Sequence, residues 1–182
     1  MMLPARLPGR TNGSAAVEFA LTLPLMLILL FGGMEAGHFV WTQHKLAEAV
    51  RDGSRYAARL PLDQLCQGNT QVMSTATADE IKLMTRTGQI ANANAPAKVP
   101  FWSNAQVQIY LHCGQYSNTG LYEDYSSYYN GEKGPVIEIA ASNVQYPWMF
   151  DALGAMMSGI FGTNGTLSLK MNAVSISPGI GL

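Results

Sequence analysis

Residues Phe19 to Met34 contain no charged side chain, and Pro24 is the only helix breaker among them. Adding Ala36 to Trp41 extends the apolar run to about 20 residues, interrupted only by Glu35 and His38, which is the length that spans a bilayer core. Beyond it the pattern changes. Val40 to Leu60 reads as a helix continuing outward. Leu46, Val50 and Ala57 lie on one stripe, and Lys45, Glu48, Arg55 and Arg59 lie elsewhere. Gly53 weakens this helix and Pro61 ends it. Asn69 to Ala91 reads as a second helix with an apolar face of Val72, Met73, Ala76, Ile81, Met84 and Ile90. Thr77-x-x-Glu80 matches a capping box, so Thr77 is an alternative start.

Strand periodicity follows. From Ala105 to Cys113, Val107, Ile109, Leu111 and Cys113 alternate with Gln106, Gln108, Tyr110 and His112, the pattern of a half-buried strand. Val136 to Tyr146 is a second strand, with a bulge expected near Ser142-Asn143 where the alternation changes phase. Thr166 to Ile176 is a third, with Leu167, Leu169, Met171 and Ala173 on one face. Short connections favour antiparallel pairing. The fold expected is α+β: an N-terminal transmembrane helix extending into an exterior domain of helices packed on an antiparallel sheet of three or four strands.

Charge sets the orientation. Met1 to Gly13 carries Arg6 and Arg10 and no acid, so the positive-inside rule puts this leader in the cytoplasm and everything after Trp41 outside. Charged residues are only 13% of the chain and the formal net charge is −1. Removing Met1–Gly13 takes away two arginines and leaves 9 basic against 12 acidic residues, a balance of −3. Nucleic-acid binding needs clustered Lys/Arg and is excluded. Cys66 and Cys113 are an even pair, which in an oxidising exterior compartment favours one disulfide over two separate buried thiols. Cys113 falls on the core side of its strand, which suits a structural bridge.

Three kinds of N-terminus compete. A secretory signal peptide needs an A-x-A-like site soon after its apolar region, but the nearest such triplet, Ala47-Glu48-Ala49, lies far beyond it. An uncleaved signal anchor explains the apolar run and the arginines but not Glu18, a carboxylate at the edge of the span. A prepilin-type leader, cut on the cytoplasmic side, explains both.

The leader ending in Gly13 followed by Ser14-Ala15-Ala16-Val17-Glu18-Phe19-Ala20-Leu21-Thr22-Leu23-Pro24 resembles the TadE-like minor pilins, or pseudopilins, of tight-adherence (Flp-type, type IVb) pilus systems. The resemblance continues in Phe31-Gly32-Gly33-Met34-Glu35-Ala36-Gly37 and in Ala49-Val50-Arg51-Asp52-Gly53-Ser54-Arg55-Tyr56-Ala57-Ala58. It is strong over the first third of the chain and architectural beyond. It implies a prepilin leader at residues 1–13, cleavage between Gly13 and Ser14 by a prepilin peptidase, a transmembrane helix at 14–41 and a periplasmic domain at 42–182. It also implies that Glu18 registers the subunit in an assembly, pairing with the new ammonium of a neighbour where both are poorly solvated. Mature pilins often begin with Phe, whereas this chain would begin with Ser14. The implied partners are the membrane, the peptidase, major and minor pilins and inner-membrane assembly proteins. The implied place is the bacterial inner membrane, single-pass. The alternative is an uncleaved, signal-anchored periplasmic binding or adhesion protein.

Two segments invite contact roles. Tyr116, Tyr122, Tyr125, Tyr128 and Tyr129 lie in one loop, either a recognition surface or tyrosines packed on the sheet. Pro147 to Phe161 is apolar apart from Asp151. It is either a core helix or a segment that rests on the membrane or docks a partner. No catalytic motif is present and no cofactor is expected. His38, His44 and His112 have no metal-ligand spacing. His38 stands three residues after Glu35, where a contact on one helix face is expected.

Overall fold

The computed structural model describes residues 12–67, 70–113, 135–150 and 168–180. A single helix, α1 (Asn12–Ala57), runs from the candidate cleavage site through the apolar run and into the α+β domain. At 1.5 Å per residue its 46 residues extend about 69 Å. It continues through Pro24, which withholds only one N–H from the ladder. Its first half is bare: Val17, Phe19, Leu21, Leu25, Met26, Ile28, Leu29 and Leu30 are all exposed. This helix is long and apolar enough to cross a membrane.

The C-terminal half of α1 is the central beam of the α+β domain. Leu46, Ala49, Val50 and Ala57 are fully buried, as the apolar stripe predicts. After a short turn, α2 (Leu62–Leu65) leads into a two-stranded ladder, β1 (Cys66–Gln67) with β2 (Thr70–Gln71). α3 (Thr75–Thr87) follows and packs on α1. A 3-10 turn (Asn104–Gln106) then enters β3 (Val107–His112), which pairs antiparallel with β4 (Val136–Gln145). β4 pairs antiparallel with β5 (Lys170–Pro178), giving the order β3-β4-β5. α1 lies across β4 and β5. The α+β class and antiparallel sheet expected from the sequence are what forms, with three strands in the main sheet among the described residues.

Several boundaries differ from the sequence reading, for local reasons. α3 is shorter than Asn69–Ala91. Ser74 caps its start, its hydroxyl accepting from the Thr77 amide at 3.1 Å, and Gly88 ends it in the left-handed conformation at φ 75°. The start is thus set by Ser74 rather than by Thr77 with Glu80. Glu80 instead accepts a 2.7 Å hydrogen bond from the Tyr56 hydroxyl. Burial, and then the hydrogen bond and charge of Glu80, push the Tyr56 phenol up to about 12. The third strand is Lys170–Pro178 rather than Thr166–Ile176, but Leu169, Met171 and Ala173 do turn inward. The expected bulge sits between Ala141 and Val144, with Asn143 at φ 57°, a conformation Asn tolerates. The Tyr116–Tyr129 loop lies outside the described residues, as does 151–161 of the apolar segment.

Gly53 does not weaken α1. A Cβ built there would lie 2.0 Å from Thr85 Oγ1 and 2.8 Å from Thr85 Cβ. The glycine is the place where α3 crosses α1, and tertiary contact outweighs its poor helix propensity. One residue on, buried Ser54 hydrogen-bonds Ser175 at 2.9 Å and Ser177 at 3.0 Å, tying α1 to β5. Cys66 and Cys113 form a disulfide with Cα atoms 5.8 Å apart, joining the β1–β2 ladder to the end of β3.

Candidate functional site

Two carboxylates mark the apolar run, and the structure treats them differently. Glu18 is exposed on the bare part of α1 and makes no hydrogen bond or ion pair among the described residues. Gly13 and Ser14 are exposed in the first turns of the same helix, and a Cβ at Gly13 would meet nothing within 4 Å. The sequence-chosen processing and assembly residues therefore share one free helical end. They lie far from the second set, which forms around Glu35.

Glu35 is only 7% exposed although it sits within the apolar stretch. It is covered by the end of β4 and the segment after it. The bulge at Asn143 restores the alternation so that Val144 and Tyr146 both point inward, and Tyr146 is 1% exposed. The Tyr146 hydroxyl donates to Glu35 Oε1 at 2.5 Å. The Met149 and Phe150 amides donate to Oε1 and Oε2, each at 3.1 Å. Three donors from one short segment satisfy a carboxylate that would otherwise be costly at this position.

His38, one turn along, reaches the same hydroxyl. Its Nδ1 is 2.8 Å from Tyr146 Oη. Because that hydroxyl donates to Glu35, it accepts from His38, which places the proton on Nδ1 and leaves Nε2 as the ring's remaining hydrogen-bonding atom. The contact expected between Glu35 and His38 is thus made through Tyr146. Burial, and then the hydrogen bond and charge of Glu35, hold the Tyr146 phenol well above the ordinary tyrosine value. It remains a donor at neutral pH.

Aromatic packing completes the clasp. Tyr146 meets Phe39 and Trp148 edge-on at 5.3 and 5.4 Å, and Phe150 meets Phe31 edge-on at 5.2 Å. Phe31 belongs to the uncharged run, so the tip of the α+β domain reaches the level of the candidate span. Residues 147–150 are not helical. The sequence reading put Tyr146 at a strand end without a role. The signal for it was the phase change at Ser142-Asn143, which decides the face on which Tyr146 emerges.

Chemically this arrangement holds two segments together. No group of metal-ligating side chains occurs among the described residues.

No curated protein and no solved structure matches the chain. A family model does, over α1: residues 13–55 match the TadE-like protein family. The matched stretch includes Glu18, Glu35 and Gly53, so the free helical end, the clasp carboxylate and the helix crossing all fall within it. By that match residues 13–55 of this chain are similar to the TadE-like protein family.

Proposed function

We propose that the chain is a minor pilin of a tight-adherence pilus, made as a precursor and cut between Gly13 and Ser14 by a prepilin peptidase. The observation that carries this reading is the TadE-like match on a helix whose first half is bare. Exposed Leu, Ile, Met and Phe over that length need a bilayer or neighbouring helices around them. Both surroundings make an unpaired Glu18 costly, and a partner's ammonium relieves that cost. In this reading α1 crosses the inner membrane with the leader in the cytoplasm, and the α+β domain is periplasmic. The role is structural: priming, capping or joining the assembly through contacts with other pilins.

The competing reading is a signal-anchored periplasmic binding or adhesion protein that is never cut. Intact mass of the protein purified from its membrane separates the two. A chain starting at Ser14 is expected, and a chain starting at Met1 sinks the pilin reading. Glu18→Ala is expected to be cleaved and to remain in the membrane but to be lost from the assembly. Normal assembly of that variant removes the registration role.

A further inference from the structure

A cavity of about 390 Å³ opens beside the clasp, on the flank of α1 that carries His38, Trp41 and Lys45. Lys98, Pro147 and Trp148 close the other side. Among the described residues its titratable lining is two lysines and one histidine, with no carboxylate. Lys98 is neutralised by Asp52, 2.8 Å away. Lys45 makes no ion pair among the described residues, and its ammonium lies 3.9 Å from the centroid of the Trp41 ring. His38 presents the ring whose Nδ1 is committed to Tyr146. The cavity thus offers one uncompensated cation and an imidazole between two indoles.

Its height along α1 indicates what fills it. Counted from Phe19, a bilayer core of roughly 30 Å is used up near Phe39. Trp41 to Lys45 then occupy the next few ångströms, the headgroup layer, where Trp and Lys are favoured. The Phe150–Phe31 contact sets the neighbouring tip of the domain lower, beside the uncharged run and about 12 Å below Phe39. An anion held at that height, over Lys45 and between aromatic rings, has the chemistry of a lipid phosphate.

We propose that this cavity binds the headgroup of an anionic phospholipid, with Lys45 as its principal charge partner. The proposal rests on the reading of α1 as a membrane span. Native mass spectrometry of the full chain in detergent tests it, titrated with phosphatidylglycerol, phosphatidylcholine or inorganic phosphate. Phosphatidylglycerol adducts are expected to be retained in preference to phosphatidylcholine. Lys45→Gln is expected to weaken them about fivefold, the share of one lysine at an anionic surface. Lys45→Arg is expected to preserve them, and Lys170→Gln, on β5, to leave them unchanged. Equal retention of the two lipids overturns the proposal, as does indifference to Lys45→Gln in a variant with wild-type circular dichroism. Displacement by an equal concentration of inorganic phosphate reassigns the cavity to a free anion and overturns the lipid. The wild-type lipid preference decides the matter even where a variant does not fold. The same spectra report whether the chain starts at Met1 or Ser14, so failure of the pilin reading and failure of this one are read separately.

Discussion

A carboxylate inside an apolar helix has two ways to avoid its solvation cost, and this chain uses one at each end of the span. Glu18 makes no hydrogen bond or ion pair among the described residues, and in the proposed reading it meets a neighbour's ammonium. Glu35 is met from within the chain, by one phenol and two backbone amides. The distinction predicts opposite mutational phenotypes. Glu35→Ala leaves the Tyr146 hydroxyl and two amides without their acceptor, at a cost of about 1–3 kcal/mol for a buried unsatisfied group. Tyr146→Phe removes the hydroxyl's hydrogen bonds to Glu35 and His38 and keeps the ring against Phe39 and Trp148, so about 1–3 kcal/mol is expected. Denaturant unfolding in detergent, followed by near-UV circular dichroism, checks both values. Glu18→Ala is expected to leave the same midpoint unchanged, because nothing in the described fold touches Glu18.

At the scale of elements, the crossing of α1 and α3 turns on Gly53 and Thr85. A methyl at Gly53 has no room beside Thr85 Oγ1 and Cβ. Gly53→Ala gains helix propensity of about 1 kcal/mol but forces the helices apart, and overpacking of this kind costs typically 1–3 kcal/mol. Net destabilisation is therefore expected, where an exposed helix would be stabilised. Thr85→Gly in the same chain makes room, and a double-mutant cycle is expected to show a coupling of more than about 0.5 kcal/mol between the two positions. Additive effects would place the strain elsewhere. This crossing marks the limit of what periodicity can reveal. The stripe Leu46–Val50–Ala57, the alternation in β3 and the bulge in β4 are local patterns, and each was legible. Gly53 read as a weak point because its reason to be glycine lies 32 residues away on another helix. Tyr146 read as a strand end because its partners, Glu35 and His38, are separated from it by more than a hundred residues. The stretch from Gly13 to Glu18 is a reading of consecutive residues and stays a proposal, whereas the part of the candidate site assembled from α1 and the end of β4 was illegible.

For the molecule as a whole, α1 is both anchor and core. The sequence reading draws a boundary between a span ending at residue 41 and a domain starting at 42. The clasp crosses that line. Glu35, His38 and Phe39 belong to the packing of the exterior domain, with Tyr146 buried against them. A fragment starting at residue 42 keeps Leu46, Val50 and Ala57, so the sheet and α3 retain their central helix. It also uncovers Tyr146 and Trp148 and removes the acceptor for two amides. A fragment starting at residue 32 retains Glu35, His38 and Phe39 of the clasp, gives up the Phe31 contact and omits most of the bare apolar half. Loss of one buried carboxylate network and part of an aromatic cluster amounts to about 3 kcal/mol. At 2–4 °C per kcal/mol for a domain of this size, the residue-42 fragment is expected to melt about 6–12 °C below the residue-32 fragment. Adding Tyr146→Phe is expected to lower the melting temperature of the longer fragment and leave the shorter one nearly unchanged, because only the longer one holds Glu35. Equal melting temperatures for the two fragments would confine the fold to residues after 41 and make the clasp a passive contact. The expected difference instead makes the angle between the bare half of α1 and the α+β domain a property of the folded core, so that in the proposed assembly a registered helix also orients the domain's outer surface.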